Sequence, residues 1–277
     1  MYYEYIYNRK LKWASSSYTF PSAVINNLDN VEIFDIDLDI FTIPLDSTIK
    51  NYDGFIITNL FGTYPRNIQI WIDFCKNNNK ILIFDNASSP LSVFDGKNIC
   101  ELGNSSIGSL HCTKYLGGAS EGGFIVINKD QYDIINSLTN FGFNNSRKYN
   151  KYSSNYKMSE INAAIHLNHL QNYDIDRHIY NQGTFIEEID QIKGVKIFNY
   201  INGVVLGNLP LVFDIPIDNR DFTDIGIMAH KYYLPLNEHH KNSNQLYNHM
   251  LNLPLYSALT EFQISFIIKQ IKRKINE

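Results

Sequence analysis

The chain has 277 residues, 44% of them hydrophobic, which is enough to bury one large core or a large and a smaller one. With 24 Lys and Arg against 28 Asp and Glu, its net charge of −4 argues against a nucleic-acid-binding surface. Cys75, Cys100 and Cys112 are far apart and in no ligand spacing, and no apolar run approaches the roughly 18 residues of a membrane span. With no signal-peptide pattern at the amino terminus, we expect a cytoplasmic protein without a membrane partner.

The first half of the chain predicts a βαβ sheet, because short apolar runs alternate there with amphipathic segments. Six strands are predicted, at Lys12–Ser16, Val31–Ile36, Gly54–Asn59, Ile81–Phe84, Ser106–Leu110 and Phe124–Ile127. A crossover helix is predicted over Pro65–Cys75, between the third and fourth strands, because its apolar residues fall on one helical face. Such a crossover favours parallel pairing.

The second half predicts a helix over Ser159–Leu170 and then a smaller α+β unit. The helix carries an apolar stripe, formed by Ile161, Ala164, Ile165, Leu167 and Leu170. We expect a large domain over residues 1–180 and a small domain over residues 181–277. The small domain closes with a helix in which Thr260 and Gln263 can form a capping box. Isoleucines at helical spacing make its core face, namely Ile264, Ile267, Ile268, Ile271 and Ile275.

The most informative stretch is Ser109–Lys114, followed by Ser120–Gly123 and the apolar run Phe124–Ile127. A lysine on a tight loop between two apolar segments can carry its amine into the mouth of an α/β sheet. Partial burial there lowers the ammonium's pKa and frees a nucleophile that can condense with an aldehyde. Taken alone, the window leaves the commoner case open, in which Lys114 is a solvated loop lysine.

Five stretches in the same chain order resemble motifs of the DegT/DnrJ/StrS sugar aminotransferase family. The lysine stretch resembles that family's Ser-Phe-His-x-Thr-Lys pattern followed by Gly-Glu-Gly-Gly. The other four are Ser17–Ala23, Phe84–Ser88, Asn155–Ala164 and Leu251–Tyr256. The resemblance spans nearly the whole chain. It implies the fold-type-I α/β architecture, with a mostly parallel sheet in a large domain and a small α+β carboxy-terminal domain, and pyridoxal 5′-phosphate as cofactor.

The resemblance also implies a role for each matching cofactor-site residue. Lys114 would bond to the cofactor and then shuttle the substrate proton, as nucleophile and base. Asp85 would pair with the protonated ring nitrogen and keep the ring an electron sink. Phe20 would stack beside the cofactor ring, and Ser109 would bind the phosphate. Ser88 occupies the position at which other family members have a residue that contacts the phenolic oxygen of the cofactor.

Further implied contacts concern the substrate and a second subunit. Asn155 matches an asparagine that reaches the phosphate in the neighbouring subunit's site, which would require a homodimer. Tyr232 and Tyr233 match the segment near the sugar-nucleotide site, although packing in the small domain explains them equally well. The implied reaction moves an amino group, from glutamate as the donor, to a nucleotide-linked keto-deoxysugar in surface-polysaccharide biosynthesis.

The sequence departs from the family pattern in three places. Ser88 replaces a longer Gln or His, and Ser120 replaces the first glycine of Gly-Glu-Gly-Gly. The chain also begins too late to contain the family's Ser-Gly-Thr-like phosphate loop and one edge strand. Three explanations stay open. The protein is a natural short form, or a partner chain supplies the missing segment, or the protein is an inactive member that serves as a partner subunit or binding module.

Two other patterns suggest different chemistry. Asp35-Ile36-Asp37 follows a strand and imitates the Asp-x-Asp of metal-dependent glycosyltransferases, although it also resembles the aminotransferase family's strand-end pattern. His239, His240 and His249, with Glu238 nearby, suggest a metal site. Because the stretch from residue 237 to residue 244 is polar and loop-like, we expect solvated histidines and no metal.

Overall fold

The computed structural model describes residues 2–24, 30–143 and 152–276. Within these ranges the strands are β1 (Trp13–Ser16), β2 (Val31–Phe34), β3 (Gly54–Thr58), β4 (Ile81–Asp85), β5 (Val93–Phe94), β6 (Lys97–Asn98), β7 (Ser105–Ser109), β8 (Gly123–Ile127), β9 (Val195–Ile197), β10 (Leu209–Phe213) and β11 (Met250–Leu253). The helices are α1 (Tyr2–Tyr7), α2 (Ile68–Asn77), α3 (Tyr132–Thr139), α4 (Glu160–Asn172), α5 (Ile175–Ile189), α6 (Arg220–Thr223), α7 (Lys241–His249) and α8 (Glu261–Asn276). Among the helices of these ranges, none has both the length and the apolar character needed to cross a bilayer.

The large sheet has six strands in the order β2-β1-β3-β4-β7-β8. Five of them pair in parallel, and β8 runs antiparallel to β7 at one edge. The central strand β3 is buried along its whole length, as an apolar strand covered on both faces should be. The predicted mostly parallel α/β sheet is therefore confirmed.

Each predicted strand of the large sheet is found within two residues of its expected bounds. The strand predicted as Val31–Ile36 ends at Phe34 because the next backbone N–H groups bond elsewhere. The N–H of Ile36 donates to the Asp35 carboxylate, and that of Asp37 donates to the Thr42 carbonyl. The crossover helix starts at Ile68 rather than Pro65, after a turn closed from the Ile68 N–H to the Pro65 carbonyl.

One apolar core connects the two halves of the chain. Trp71 of α2 is fully buried, and its ring centroid lies 5.0 Å from that of Phe55 in β3. The same cluster continues into the second sheet, where β11, β10 and β9 pair antiparallel. Leu211 of β10 and Ile268 of α8 belong to it. The expected α+β character of the second half is thus present, packed on the large sheet.

Helix α8 forms as its sequence predicts. The N–H of Gln263 donates to the Thr260 hydroxyl at 3.3 Å, and the N–H of Thr260 donates to the Gln263 side chain at 2.9 Å. This reciprocal pair is the predicted capping box. The predicted core isoleucines are buried except for Ile275, which is half-buried against the same core. The domain boundary expected after residue 180 falls inside α5 and stays a prediction.

Helix α4 differs from the sequence expectation in what its apolar residues contact. It begins after Ser159, whose hydroxyl accepts the Asn162 N–H. An apolar stripe usually faces the core, but Ile161 is 75% exposed and Leu167 is 56% exposed. The residue that α4 buries is His166. The predicted stripe is therefore wrong, because the apolar residues of α4 are spread around the helix instead of sharing one face, and most of them are exposed.

Candidate functional site

A cavity of about 590 Å³ opens at the carboxyl ends of the parallel strands. Thr58 from β3, Asp85 from β4 and Ser109 from β7 line it, together with Gly207 and Tyr232 from the second half of the chain. Open α/β sheets bind ligands at this edge, because the strand ends and the following loops meet there. All predicted site residues except Asn155 line this cavity.

Lys114 projects its amine into the cavity from a closed loop. The loop is closed by the Leu110 N–H, which donates to the Gly122 carbonyl at 2.9 Å. The Nζ of Lys114 donates to the Ser88 hydroxyl at 2.9 Å. Burial lowers the pKa of the Lys114 amine, while attraction to Asp85 acts in the opposite direction. Lys114 is thus a partly buried amine beside a carboxylate, rather than a solvated lysine.

Asp85 is the last residue of β4 and only 5% exposed. Burial raises the pKa of its carboxyl group, against the opposing effects of the Ala87 N–H and of Lys114. The Ala87 N–H donates to Oδ1 of Asp85 at 3.0 Å, which fixes the orientation of the carboxylate. A buried carboxylate held in this way is suited to a cationic partner inside the cavity, because the low dielectric strengthens their attraction.

A buried amide network behind Asp85 was not predicted from the sequence. Asn59 donates to the Asn86 side chain, and Asn86 donates to the Ser106 hydroxyl. These bonds tie the end of β3 to β4 and β7 directly beneath the cavity. Within the described residues, the Oδ1 atom of Asn59 is buried and has no hydrogen-bond partner. Asn59 also lines the cavity, so the network lies next to the space that a bound molecule would occupy.

Aromatic side chains form another part of the cavity wall. Phe20 is 54% exposed, and its exposed ring lines the cavity rather than the core. The Tyr233 ring lies 6.1 Å from the Phe20 ring and stacks on Phe61 at 5.3 Å with an interplanar angle of 11°. Burial, and then the nearby Asp85, raise the pKa of the Tyr233 hydroxyl. Tyr232 and Tyr233 therefore combine packing with a place in the cavity wall.

Ser109 and Asn155 occupy different surroundings. The Ser109 hydroxyl accepts the His111 N–H at 3.2 Å and lines the cavity next to Lys114. Asn155 lies on an exposed segment, where it forms an isolated β-bridge with Asn140. The chain therefore does not bring its own Asn155 to its own cavity. The action of Asn155 in a second subunit's site stays a prediction.

The Asp35 carboxylate is engaged in a structural role. It accepts hydrogen bonds from the Ser243 hydroxyl and from the N–H groups of Asn242 and Ser243, in the first turn of α7. Burial opposes the ionisation of Asp35, but these hydrogen bonds outweigh it and hold its pKa below the usual value. Asp35 caps a helix of the second half, so its carboxylate is not free to bind a nucleotide-sugar's metal ion.

The three histidines near residue 240 have separate surroundings. His239 is exposed, as expected, whereas His249 contacts the Phe213 carbonyl at 2.8 Å through Nδ1. His240 lies 3.2 Å from the Asn237 amide and precedes α7, so this stretch is partly helical rather than all loop. A capped polar helix start has the same composition as a loop, which is why the sequence did not distinguish them.

Among the described residues, His111, Cys112 and Glu121 bring metal-binding atoms within 4.8 Å of one another. The imidazole already has partners in this arrangement. The Thr113 N–H donates to Nδ1 of His111, so the ring proton is on Nε2, which lies 3.3 Å from the Glu121 carboxylate. These contacts satisfy the imidazole without an ion.

An amine from a loop and a buried carboxylate, meeting at the carboxyl edge of a mostly parallel sheet, define a fold-type-I pyridoxal-phosphate protein. The chain belongs to the DegT/DnrJ/EryC1/StrS aminotransferase family, whose family model matches residues 18–197, more than half of the chain. Its predicted family membership and fold class are therefore confirmed.

Individual relatives agree with this assignment. The chain is 28% identical over 233 residues to a dTDP-4-amino-4,6-dideoxy-D-glucose transaminase of Shigella dysenteriae. This match covers 75% of the chain and 63% of the relative, so the chain spans less than two thirds of that protein's length. A family aminotransferase from Brucella abortus superposes with a TM-score of 0.83 at 20% identity, over 97% of this chain and 80% of that one. An aminotransferase of Helicobacter pylori involved in pseudoaminic acid biosynthesis superposes with a TM-score of 0.80 at 13% identity, over 96% and 80% of the two chains.

The residues of the cavity fit pyridoxal phosphate, the cofactor of this family. The cofactor carries an aldehyde, a basic ring nitrogen, a phenolic oxygen and a phosphate group. Lys114 offers an amine for the aldehyde, and Asp85 offers a buried carboxylate for the ring nitrogen. Ser88 and Ser109 offer hydroxyl donors for the oxygens, and the Phe20 ring lies against the same space.

Proposed function

We propose that this protein is a pyridoxal-phosphate-dependent aminotransferase that moves an amino group, with glutamate as the donor, to a nucleotide-linked keto-deoxysugar. The observation that carries the proposal is the meeting of the Lys114 amine with the buried Asp85 carboxylate in one cavity. The substrate class is supported by the Shigella relative, which is named as a nucleotide-sugar transaminase. We place the reaction in surface-polysaccharide biosynthesis in the cytoplasm.

When bound, the cofactor would supply an electron sink for the electron pair that remains once a proton leaves the substrate carbon. Lys114 would accept that proton and return it to a neighbouring carbon, which requires an amine that is neutral for part of the cycle. The burial that lowers the pKa of Lys114 favours this neutral amine. Lys114 is therefore the proposed catalytic base as well as the attachment point.

The remaining cavity residues would hold and orient the bound molecules. Asp85 would keep a proton on the ring nitrogen, because its carboxylate is buried and fixed by the Ala87 N–H. Ser109 would bind phosphate, and Ser88 would reach the phenolic oxygen from its position beside Lys114. Tyr232 and Tyr233 also line the cavity and would contact the sugar.

The direct test is to add pyridoxal phosphate to the purified protein, record its absorbance and then reduce with borohydride. Peptide mapping should place the reduced cofactor on Lys114, and keto-sugar nucleotides would then be screened with glutamate. Scattered labelling of surface lysines, or no absorbance band, would contradict the assignment of the cofactor site. Labelling of Lys114 without amino transfer to any sugar would instead indicate the inactive partner-subunit form of the family.

We also propose that two copies of the chain pair through an apolar surface formed by α4 and the residues near it. This surface consists of Phe141, Phe143, Met158, Ile161, Leu167 and Leu170, all exposed. Exposed apolar side chains that gather in one region of a protein often mark an interface. Asn155 lies on the segment that leads into this surface, which is where a residue acting in a second subunit's site should be. The proposed partner is therefore a second copy of the same chain.

Replacing Ile161 by aspartate is expected to convert the dimer to monomers, since the substitution places a carboxylate in an apolar contact. Light scattering coupled to gel filtration would measure the change in mass. Because Asn155 would act across the interface, cofactor retention should fall together with the dimer.

The matched control is Ile225→Asp, at a position that is also exposed but lies outside this surface. It should leave both the mass and cofactor retention unchanged. An Ile161→Asp protein with the mass of a dimer, or a wild-type monomer with full cofactor retention, would exclude this interface.

A further inference from the structure

Helix α4 lies against the loop that carries Lys114 and contacts it through two histidines and through Asn162, whose amide donates to the Glu121 carbonyl at 3.3 Å. Nε2 of His169 lies 3.0 Å from the Tyr115 carbonyl, and Nε2 of His166 lies 3.1 Å from the Glu121 carbonyl. A carbonyl oxygen only accepts, so the proton of each contact is on Nε2. The two contacts are made from residues one helical turn apart. The two contacts hold the segment that follows Lys114 at both ends, at Tyr115 and at Glu121.

Two glycines of the loop make room for these imidazoles. A Cβ atom on Gly122 would lie 2.7 Å from Nε2 of His166, a distance that real Cβ atoms do not show. A Cβ atom on Gly118, whose φ is +61°, would lie 3.2 Å from Cβ of His169. The loop and the helix are thus complementary in shape as well as in hydrogen bonding.

His166 has a feature that packing alone does not explain. It is only 2% exposed, and its Nδ1 atom is buried without a hydrogen-bond partner among the described residues. Burying an unpaired polar atom destabilises a fold, and an aliphatic side chain would fill the space without that cost. The Nε2 contact with Glu121 is what a histidine provides here and an aliphatic residue cannot.

Helices α4 and α5 are also connected to the segment of the second half that contains Gly207. The Tyr173 ring lies 5.3 Å from that of His169, and its hydroxyl lies 2.7 Å from Nδ1 of His178 in α5. Nε2 of His178 lies 2.8 Å from the Leu206 carbonyl, and the next residue, Gly207, lines the cavity. The helix that holds the lysine loop is therefore itself fixed relative to the second half of the chain.

We propose that His166 and His169 are positioning residues that seat the Lys114 loop and so set how deeply the amine enters the cavity. The inference rests on the proposed function of Lys114 and adds the two side chains that keep it in place. Neither imidazole lines the cavity, so both act through the backbone of the loop. When the loop is released, water reaches the amine, and Lys114 behaves more like an ordinary surface lysine.

The test measures the reactivity of Lys114 in protein prepared without cofactor. Trace acetylation at a series of pH values, followed by mass spectrometry, gives the pH profile of each lysine amine. In the His166→Leu/His169→Leu protein we expect the reactive fraction of Lys114 at pH 7 to fall about tenfold, as its pKa rises towards that of a solvated lysine. Amide hydrogen exchange in the segment from Tyr115 to Glu121 should become faster.

Two further variants separate positioning from packing. His166→Gln/His169→Gln keeps an N–H donor on each side chain and should restore the wild-type profile of Lys114. His239→Leu removes an exposed histidine remote from the loop and should change nothing. The titratable groups that line the cavity with Lys114 are unchanged in all three proteins, namely Asp85, His111, Tyr115, Glu121, Tyr232 and Tyr233.

A lower melting temperature with an unmoved Lys114 profile would overturn the proposal, since it would show that the histidines only pack. Failure of the glutamine variants to restore the profile would also overturn it. If the double leucine protein does not fold, His169→Leu alone decides, because that residue is only half-buried. Borohydride labelling of residues other than Lys114 in the wild-type protein would contradict the proposed function. The pH profile of Lys114 acetylation is measured without cofactor, so it tests the role of the histidines independently of that function.

Discussion

Replacing Lys114 by arginine is expected to abolish borohydride-stable attachment of pyridoxal phosphate and to lower amino transfer by about 10² to 10⁴-fold or more. Arginine keeps the positive charge near Asp85 and a comparable length, so the electrostatics of the cavity change little. It does not release its proton at any pH at which the protein is folded, so it serves neither as nucleophile nor as base. Mass spectrometry of the reduced protein and a coupled assay of glutamate consumption would measure the two losses.

The control for this substitution is Lys269→Arg, on the exposed face of α8 and away from the cavity. It should retain both the cofactor and the activity. Circular dichroism would establish that Lys114→Arg is folded, which we expect because the arginine replaces a cation with a cation. Full activity of Lys114→Arg would show that another amine performs the chemistry and would remove the basis of the proposed function.

The sequence predicts the site residues that lie at the ends of the parallel strands or in the loops that follow them. Asp85 ends an apolar strand, and Lys114 follows another across a tight loop. Because parallel strands present their carboxyl ends at one edge, residues distant in the chain are expected to meet there. In the structure both residues line the cavity with Ser88 and Ser109. Local patterns are sufficient for this because strand register and loop length fix the positions.

Contacts that depend on how separate elements pack were not predictable from local patterns. Nothing near Asp35 indicates that its carboxylate accepts a hydrogen bond from the first turn of a helix, from Asn242, which lies 207 residues later in the chain. His166 and His169 are two of several polar residues in α4, and nothing in the local sequence indicates that they contact carbonyl groups of the lysine loop. The exposure of Ile161 likewise depends on what covers α4, which periodicity does not specify.

Asp85→Asn is expected to change the reactivity of Lys114 and the rate of turnover in opposite directions. At present, burial lowers the pKa of Lys114 and attraction to the Asp85 carboxylate raises it. Removing the carboxylate leaves burial unopposed, so the pKa of Lys114 should fall further. The amine would then be neutral, and open to acetylation in the cofactor-free protein, at lower pH than in the wild type. Its pH profile shifts towards acid.

Turnover should nevertheless fall by about 10² to 10³-fold, the range seen when one oriented electrostatic partner is removed from a reacting group. Asparagine is nearly isosteric with aspartate and can still accept the Ala87 N–H, so the fold and the loop geometry are retained. A neutral amide, however, does not stabilise a proton on the ring nitrogen, and the electron sink weakens although the lysine is more available. Asp133→Asn, on the exposed face of α3, is the matched control and should alter neither quantity. If the reactivity of Lys114 and the turnover rate both fall, Asp85 only holds the lysine in place. If the reactivity of Lys114 rises while the turnover rate falls, Asp85 acts separately on the amine and on the cofactor.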